Sequence, residues 1–226
     1  MRLTSTNPAT PKILAVYVGL LVDVVARLNI SAEELLEGSG IAPEQINDVL
    51  WYLDFDVFKR LYDRAVLLTN EPGLGFHLGM QMKVSCHGLV GFAAMIGKDV
   101  REALEVAQQF VGVLSNAFTI LVEVGEENSS LYFNEVFPEF SIGESGVMAV
   151  ALGFALMGEA VTGQRLEGVA EFTFKRPDYF GRFEKLIPGI VRFEQPCTRL
   201  IFPSAYLDLP LIMADPMTAR MAREQC

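Results

Sequence analysis

The chain has 226 residues, half of them hydrophobic and a fifth charged, which is enough apolar material for a substantial core and too much for a disordered chain. Its 28 acidic against 18 basic residues give a formal net charge of -10, and no Lys or Arg occurs between Arg27 and Lys59 or between Arg101 and Arg165. Phosphate attraction dominates nucleic-acid affinity, so these residues are excluded as a DNA reader in their own right.

Helices are expected from 11 to about 68. Pro11 suits a first helical turn, and the apolar run behind it continues to Leu28. Ser31 and Glu34 have capping-box spacing, a further short helix follows Pro43, and Phe58, Leu61, Tyr62, Ala65 and Leu68 recur at helical spacing behind Asp54 and Asp56. Segment 31–49 has the outline of a helix-turn-helix. From Leu28 to Phe58, however, there are seven carboxylates and no cation, so it reads as a packed helical hairpin. The glycine-punctuated stretch 71–79 reads as a turn that leads through Cys86-His87-Gly88-Leu89-Val90-Gly91-Phe92 to Gly97. Asp99 and Glu102 then cap a helix whose apolar face is Val100, Ala103, Leu104, Ala107, Val111 and Leu114.

Beyond Asn116 the period changes. Segments 118–124 and 131–137 are β-rich runs joined by 125–130, a hairpin signature. Ser141 and Glu144 cap a long apolar helix to about Val161. Strand 168–174, a short helix at 179–186, strands 190–193 and 200–202 and a helical tail at 215–224 complete the order. The expected fold is α+β, a helical N-terminal part followed by a β-sheet with interspersed helices. One compact domain spans 1–226, with a helical subregion at about 11–115 and an α+β subregion at about 116–226.

The most apolar stretches, 13–22 and 147–158, fall short of the roughly 20 residues of a membrane span and read as buried helices. Cys86, Cys197 and Cys226 are odd in number and widely spaced, which points to a reducing cytoplasm. The opening Met1-Arg2-Leu3-Thr4-Ser5 lacks the apolar stretch of a signal peptide.

Catalytic readings fail on spacing. Gly73-Leu74-Gly75-Phe76-His77-Leu78-Gly79 is one residue too long for a dinucleotide fingerprint, and no strand is expected before it. Gly143-Glu144-Ser145-Gly146 is not a nucleophile elbow, and both histidines, His77 and His87, lie upstream of that serine. Cys86 and His87 are adjacent, so on a helix they point about 100° apart. With His77 they lack zinc spacing. No catalytic group, metal site or cofactor is expected.

Two polar residues stand out for another reason. His87 sits among small apolar residues, where a ring with one donor and one acceptor can fix a polar ligand or bond to backbone. Glu135 shares a strand face with Leu131, Phe133 and Phe137, so it needs a partner if buried, reads a cationic ligand, or lies at an exposed edge. Phe92, Phe110, Phe118 and Tyr132 supply pocket walls or ordinary core.

Several short motifs in order resemble a known family. They are Leu35-Leu36-Glu37-Gly38-Ser39-Gly40-Ile41, Glu71-Pro72-Gly73-Leu74-Gly75-Phe76-His77-Leu78-Gly79, and Ser85-Cys86-His87-Gly88-Leu89-Val90-Gly91-Phe92-Ala93. Val100-Arg101-Glu102-Ala103-Leu104, Val191-Arg192-Phe193, Leu207-Asp208-Leu209-Pro210-Leu211 and Ala214-Asp215-Pro216 follow. Together they resemble the N-terminal effector domain of AraC/XylS-type transcriptional regulators, in the arabinose-binding-domain-like subgroup. The resemblance implies a ligand-sensing and dimerising domain that controls a DNA-binding domain beyond residue 226, and it does not imply arabinose. Expected partners are a small-molecule effector, a second copy in a homodimer, and DNA only through the C-terminal domain, with no membrane. Cys86-His87 departs from the serine, apolar or aromatic residue expected there and is a position that tunes effector choice. A stand-alone interaction module and a small-metabolite enzyme are the alternatives.

The effector pocket is expected between segment 86–92, helix 99–114 and hairpin 118–137. His87 and Glu135 are its anchors, and Phe92, Phe110 and Tyr132 its walls. Glu135 would matter most for a cationic effector, His87 or Arg192 for an anionic one.

Overall fold

A computed structural model describes residues 10–47 and 51–225. The opening pentapeptide, the end of segment 31–49 and Cys226 lie outside the described residues. The N-terminal run departs from the expected helix. Residues Lys12–Leu14 form a strand, β1, paired antiparallel with β2, Tyr52–Asp54, and helix α1, Val16–Ala26, begins only behind it. The apolar run gives no local mark where strand becomes helix, because pairing with β2 decides the matter. Phe55 N–H on Pro11 O extends the ladder, and Lys12 Nζ pairs with Asp54.

Ser31 and Glu34 make the reciprocal capping box of α2, Ala32–Leu36, as their spacing predicts. Helix α3, Phe55–Thr69, buries Phe58, Leu61, Tyr62 and Ala65 and carries Lys59–Asp63 and Arg60–Asp56 pairs on its wet side.

The glycine-rich stretch is a helix rather than a turn: α4, Leu74–Gln81. Its glycines serve contact, not bending. A Cβ on Gly75 would stand 1.7 Å from Ser145 O, so α4 lies directly on α7, Gly143–Thr162. Ser145 Oγ accepts from Gly75 N–H at 2.9 Å and from Tyr62 O–H at 2.8 Å, tying α3, α4 and α7 together. The Gly143-Glu144-Ser145-Gly146 serine is therefore a packing residue. Helix α7 starts at Gly143, whose N–H donates to Ser141 Oγ at 3.0 Å, and the expected bond to Glu144 is not made. At 20 residues α7 exceeds the apolar stretch 147–158 and has the length and composition of a membrane span. It buries Met148, Ala149, Ala151 and Leu152 inside the protein.

A short 3-10 turn, Val84–His87, leads into α5, Gly88–Met95, and α6, Val100–Leu114, follows with Asp99 capping the N–H of Glu102 at 2.9 Å. The hairpin is β3, Phe118–Glu123, and β4, Asn128–Glu135. With β5, Val169–Glu171, β6, Ile190–Arg192, and β7, Arg199–Pro203, it makes a five-stranded sheet in the order β3-β4-β7-β5-β6. All its pairs are antiparallel except β5 with β6. Strand β5 is shorter than the expected 168–174, and 179–186 is two 3-10 turns, not a helix. The closing helix α8, Pro216–Gln225, buries Ala219 and Ala222 in a cluster with α5 and α6. The architecture is α+β, and Ala117 and Ala149 join the core of the N-terminal helices.

Candidate functional site

A cavity of about 190 Å³ lies where α5, α6 and the β3–β4 hairpin meet, closed by α1 on one side and α7 on another. Each element reaches it for a local reason. The α6 residues at helical spacing, Ala103, Leu104, Ala107 and Val111, turn one stripe to it, and strand alternation turns Phe118, Ile120 and Phe133 the same way. Small residues on α7, Gly146, Ala149 and Gly158, leave the space that larger side chains would fill.

Among the described residues the wall contains no Asp, Glu, Lys or Arg; its polar side chains are Tyr17, His87 and Ser115. Ser115 is occupied, its hydroxyl donating to Lys12 O at 2.8 Å and accepting from Ala117 N–H at 3.2 Å. Tyr17 Oη and His87 Nδ1 are 2.8 Å apart, a side-chain bond between α1 and the 84–87 turn in place of the backbone bond expected for a core histidine. Gly88, at φ 57° and ψ -135° in a region open to glycine, sets the turn that presents the ring. His87 Nε2 is buried and has no hydrogen-bond partner among the described residues.

Burial holds the imidazole uncharged, pushing His87 down to about 4. Burial, then the Cys86 thiol, pushes the Tyr17 phenol up, so it keeps its proton. The tautomer follows from counting. If His87 Nδ1–H donated to Tyr17, the buried phenol proton and the Nε2 lone pair would both go unmet. If Tyr17 O–H donates to Nδ1, only the Nε2–H goes unmet. The second arrangement has fewer orphaned groups, so the proton sits on the buried Nε2.

The other residues expected at the site are distributed differently. Phe92 is 39% exposed. Phe110 packs against the cluster that α5, α6 and α8 share. Tyr132 and Arg192 lie on the opposite face of the sheet from Phe133. There a transverse row runs Tyr132–Arg199–Glu171–Arg192 by strand register. Tyr132 O–H donates to Glu123 at 2.7 Å, Arg199 Nε to Glu171 at 2.7 Å, and Arg192 Nη1 reaches Glu171 at 3.4 Å. Alternation sends every second residue of β4 away from the cavity, and Tyr132 is one of these. Glu135 faces inward with Leu131 and Phe133 but is not on the cavity wall, and its Oε1 is buried without a partner among the described residues. Tyr17 and the α7 wall escaped the sequence reading. Their only signal was the small-residue pattern of the apolar helix, which takes its meaning from what packs against it.

The family model described as the arabinose-binding domain of AraC transcription regulator, N-terminal, matches residues 30–211. The chain belongs to this family. Among curated relatives, the Ornithine utilization regulator of Pseudomonas aeruginosa is 29% identical over 215 residues, covering 93% of this chain and 62% of the relative. An uncharacterised helix-turn-helix-type transcriptional regulator of Mycobacterium tuberculosis is 27% identical over 223 residues, covering 92% of this chain and 62% of the relative. The crystal structure of the transcriptional regulator CdpR from Pseudomonas aeruginosa matches with a TM-score of 0.68 at 14% identity, over 98% of this chain and 62% of that one, a likeness of fold. This AraC-type chain thus spans less than two thirds of the length of each relative. The relatives named here are transcription regulators.

Proposed function

We propose that the chain is the effector-sensing and dimerising part of a cytoplasmic AraC-type transcription regulator, without catalytic activity, and that the cavity beside His87 is its effector site. The observation that carries this reading is the roughly 190 Å³ apolar cavity lined in part by His87, in a chain of this family. Catalysis has little support: His87 is bonded to a phenol, not to a nucleophile, and Ser145 is taken up by helix packing. Effector binding would shift a regulator between DNA-competent and incompetent arrangements by no more than its differential affinity for the two.

DNA contact belongs to a segment beyond residue 226, so residues 1–226 alone give no promoter-specific gel shift at physiological salt. Self-association is read from the family and is checked by sedimentation at tens of micromolar. The central test is a thermal-shift screen of this chain against amino acids, polyamines, fatty acids, sugars and neutral metabolites, since a ligand of the native state raises apparent stability. The name of the Pseudomonas relative puts ornithine in the first round. A hit whose shift disappears in Ala107→Phe, which fills the cavity, supports the site. A hit that survives it moves the site elsewhere.

A further inference from the structure

We propose that the effector is an uncharged, elongated molecule with a hydrocarbon body of about eight to twelve carbons, lying through the cavity described above and a second one beyond Leu104 and Phe154. The inference rests on the sensor reading above and names the ligand class and the reach of its site.

The second cavity, of about 100 Å³, lies between α7 and the inner face of the sheet. Ala151 and Ala155 line it from the helix, and Leu131, Leu200 and Ala170, one transverse row by register, line it from the strands. Val100, Leu104, Phe154 and Gly158 belong to the walls of both cavities, so the two spaces adjoin across these residues. Gly158 adds no side chain to that partition. The nearest atom to a Cβ placed on it is Leu166 Cδ1 at 3.2 Å, which belongs to the second cavity. Leu104 and Phe154 are half-buried, and a change of rotamer at either joins the spaces. A dry engineered cavity of about 150 Å³ admits benzene; on that scale the first cavity, of about 190 Å³, takes about eight carbons and the pair about twelve.

The class follows from what the walls offer. Among the described residues, every residue lining the first cavity is buried or half-buried, and none carries a carboxylate, ammonium or guanidinium. A charge placed there would lose its hydration without gaining a counter-ion. Tyr17 and His87 are bonded to each other, and affinity comes instead from hydrocarbon surface removed from water. On the second cavity the one ionisable side chain among the described residues is Glu167. It is 66% exposed and lies 3.4 Å from Arg165 Nε, so its charge stands at the wet end. An amino acid such as ornithine, with its several charges, suits neither space.

The test changes chain length first and charge second. Hexanol, octanol, decanol and dodecanol are titrated calorimetrically into the whole chain at neutral pH. Affinity is expected to climb about fourfold per methylene, the worth of one buried CH₂, through octanol and on to about dodecanol. Ala155→Phe fills the second cavity alone; it leaves hexanol and octanol unchanged and makes decanol and dodecanol no tighter than octanol. Ala107→Phe fills the first alone and weakens the whole series at least tenfold. If either variant does not fold, Ala155→Leu or Ala107→Leu gives the same contrast at smaller size. Hexanoate, hexylammonium and ornithine bind at least tenfold more weakly than hexanol.

A plateau at octanol in the natural chain, or long-chain affinity untouched by the Ala155 variants, overturns the part given to the second cavity. Hexanoate, hexylammonium or ornithine binding as tightly as hexanol overturns the uncharged class. Alkanol affinity unchanged in the Ala107 variants puts the chain elsewhere and overturns the whole inference. If no alkanol binds while a hit from the metabolite screen is lost in Ala107→Phe, the class fails and the sensor reading stands. If nothing in either set binds, the sensor reading fails as well.

Discussion

The two faces of the five-stranded sheet treat polar groups in opposite ways. On the outer face, the row Tyr132–Arg199–Glu171–Arg192 is closed: Glu171, only 4% exposed, is held by both guanidinium groups, and Arg199 also bonds Tyr132 and lies over its ring. Glu171 and then Tyr132 hold the Arg199 guanidinium further up its already high range. On the inner face and beside it, two buried side-chain atoms have no partner among the described residues, His87 Nε2 and Glu135 Oε1. Such a network holds its buried carboxylate with two guanidinium groups and ties the strands together, while Arg192, more than half exposed, keeps donors turned to water. An unmet buried atom costs stability of order 1–3 kcal/mol and is kept where something else meets it. The comparison therefore separates structure from site better than charge or aromatic content does. By charge alone, the outer row would have been chosen.

The largest expected effect lies with acid. The His87 ring titrates near 6.5 in the unfolded chain and is pushed down to about 4 by burial in the folded one. As pH falls, the unfolded chain takes up the proton first. The contribution of the neutral ring is therefore complete above pH 6.5 and is lost between 6.5 and 4. At about 1.4 kcal/mol per pH unit this amounts to roughly 3 kcal/mol. Urea titrations from pH 7.5 to 4.5 on the natural chain and on His87→Gln check it: the difference between them should change steeply below pH 6.5. Parallel curves would mean that His87 is hydrated when folded, and the contrast between the two faces would lose its sharper half.

Breaking the closed row comes next. Glu171→Ala strands two guanidinium groups, each partly in water, so the expected loss is about 2 kcal/mol, below the ~3–5 kcal/mol of a fully buried pair. Affinity for a cavity ligand should not move. If stability holds while binding falls, the outer row is a site and the inference is inverted.

What was readable in advance follows the same division. The α6 stripe, the hairpin and the Ser31 and Asp99 caps are local periodicities and spacings, and they were visible. So were His87 and Glu135, because a polar group in an apolar run must be met by something. What met it was not visible. Tyr17 lies 70 residues from His87. Strand β1 exists through its pairing with β2, and the glycines of α4 acquire their meaning from α7. Tyr132 and Arg192 looked like site residues because residue type says nothing of which sheet face they occupy. That depends on a register set across four strands.

The smallest effect is also the most discriminating, and it concerns Glu135. Its strand partner in β3 is Phe118, its same-face neighbours are Leu131 and Phe133, and its Oε1 is buried without a donor among the described residues. Replacing it with Val removes the unmet oxygen and suits the strand, so the protein should gain about 1 kcal/mol, read as a raised urea midpoint at unchanged slope. A cavity ligand that is neutral should bind Glu135→Val as before, since Glu135 is off the wall. A cationic effector that draws on this carboxylate would instead bind about 10-fold or more weakly, as expected for a charged hydrogen bond worth roughly 1.5–3 kcal/mol. The two measurements together assign the oxygen. A gain in stability with affinity intact makes Glu135 a residual cost of the sheet. A gain in stability with affinity lost makes it the second anchor of the site and places a positive group on the effector. A loss of stability would show that the carboxylate is already satisfied, and among the described residues His87 would then be the one unmet group that distinguishes the inner face from the outer.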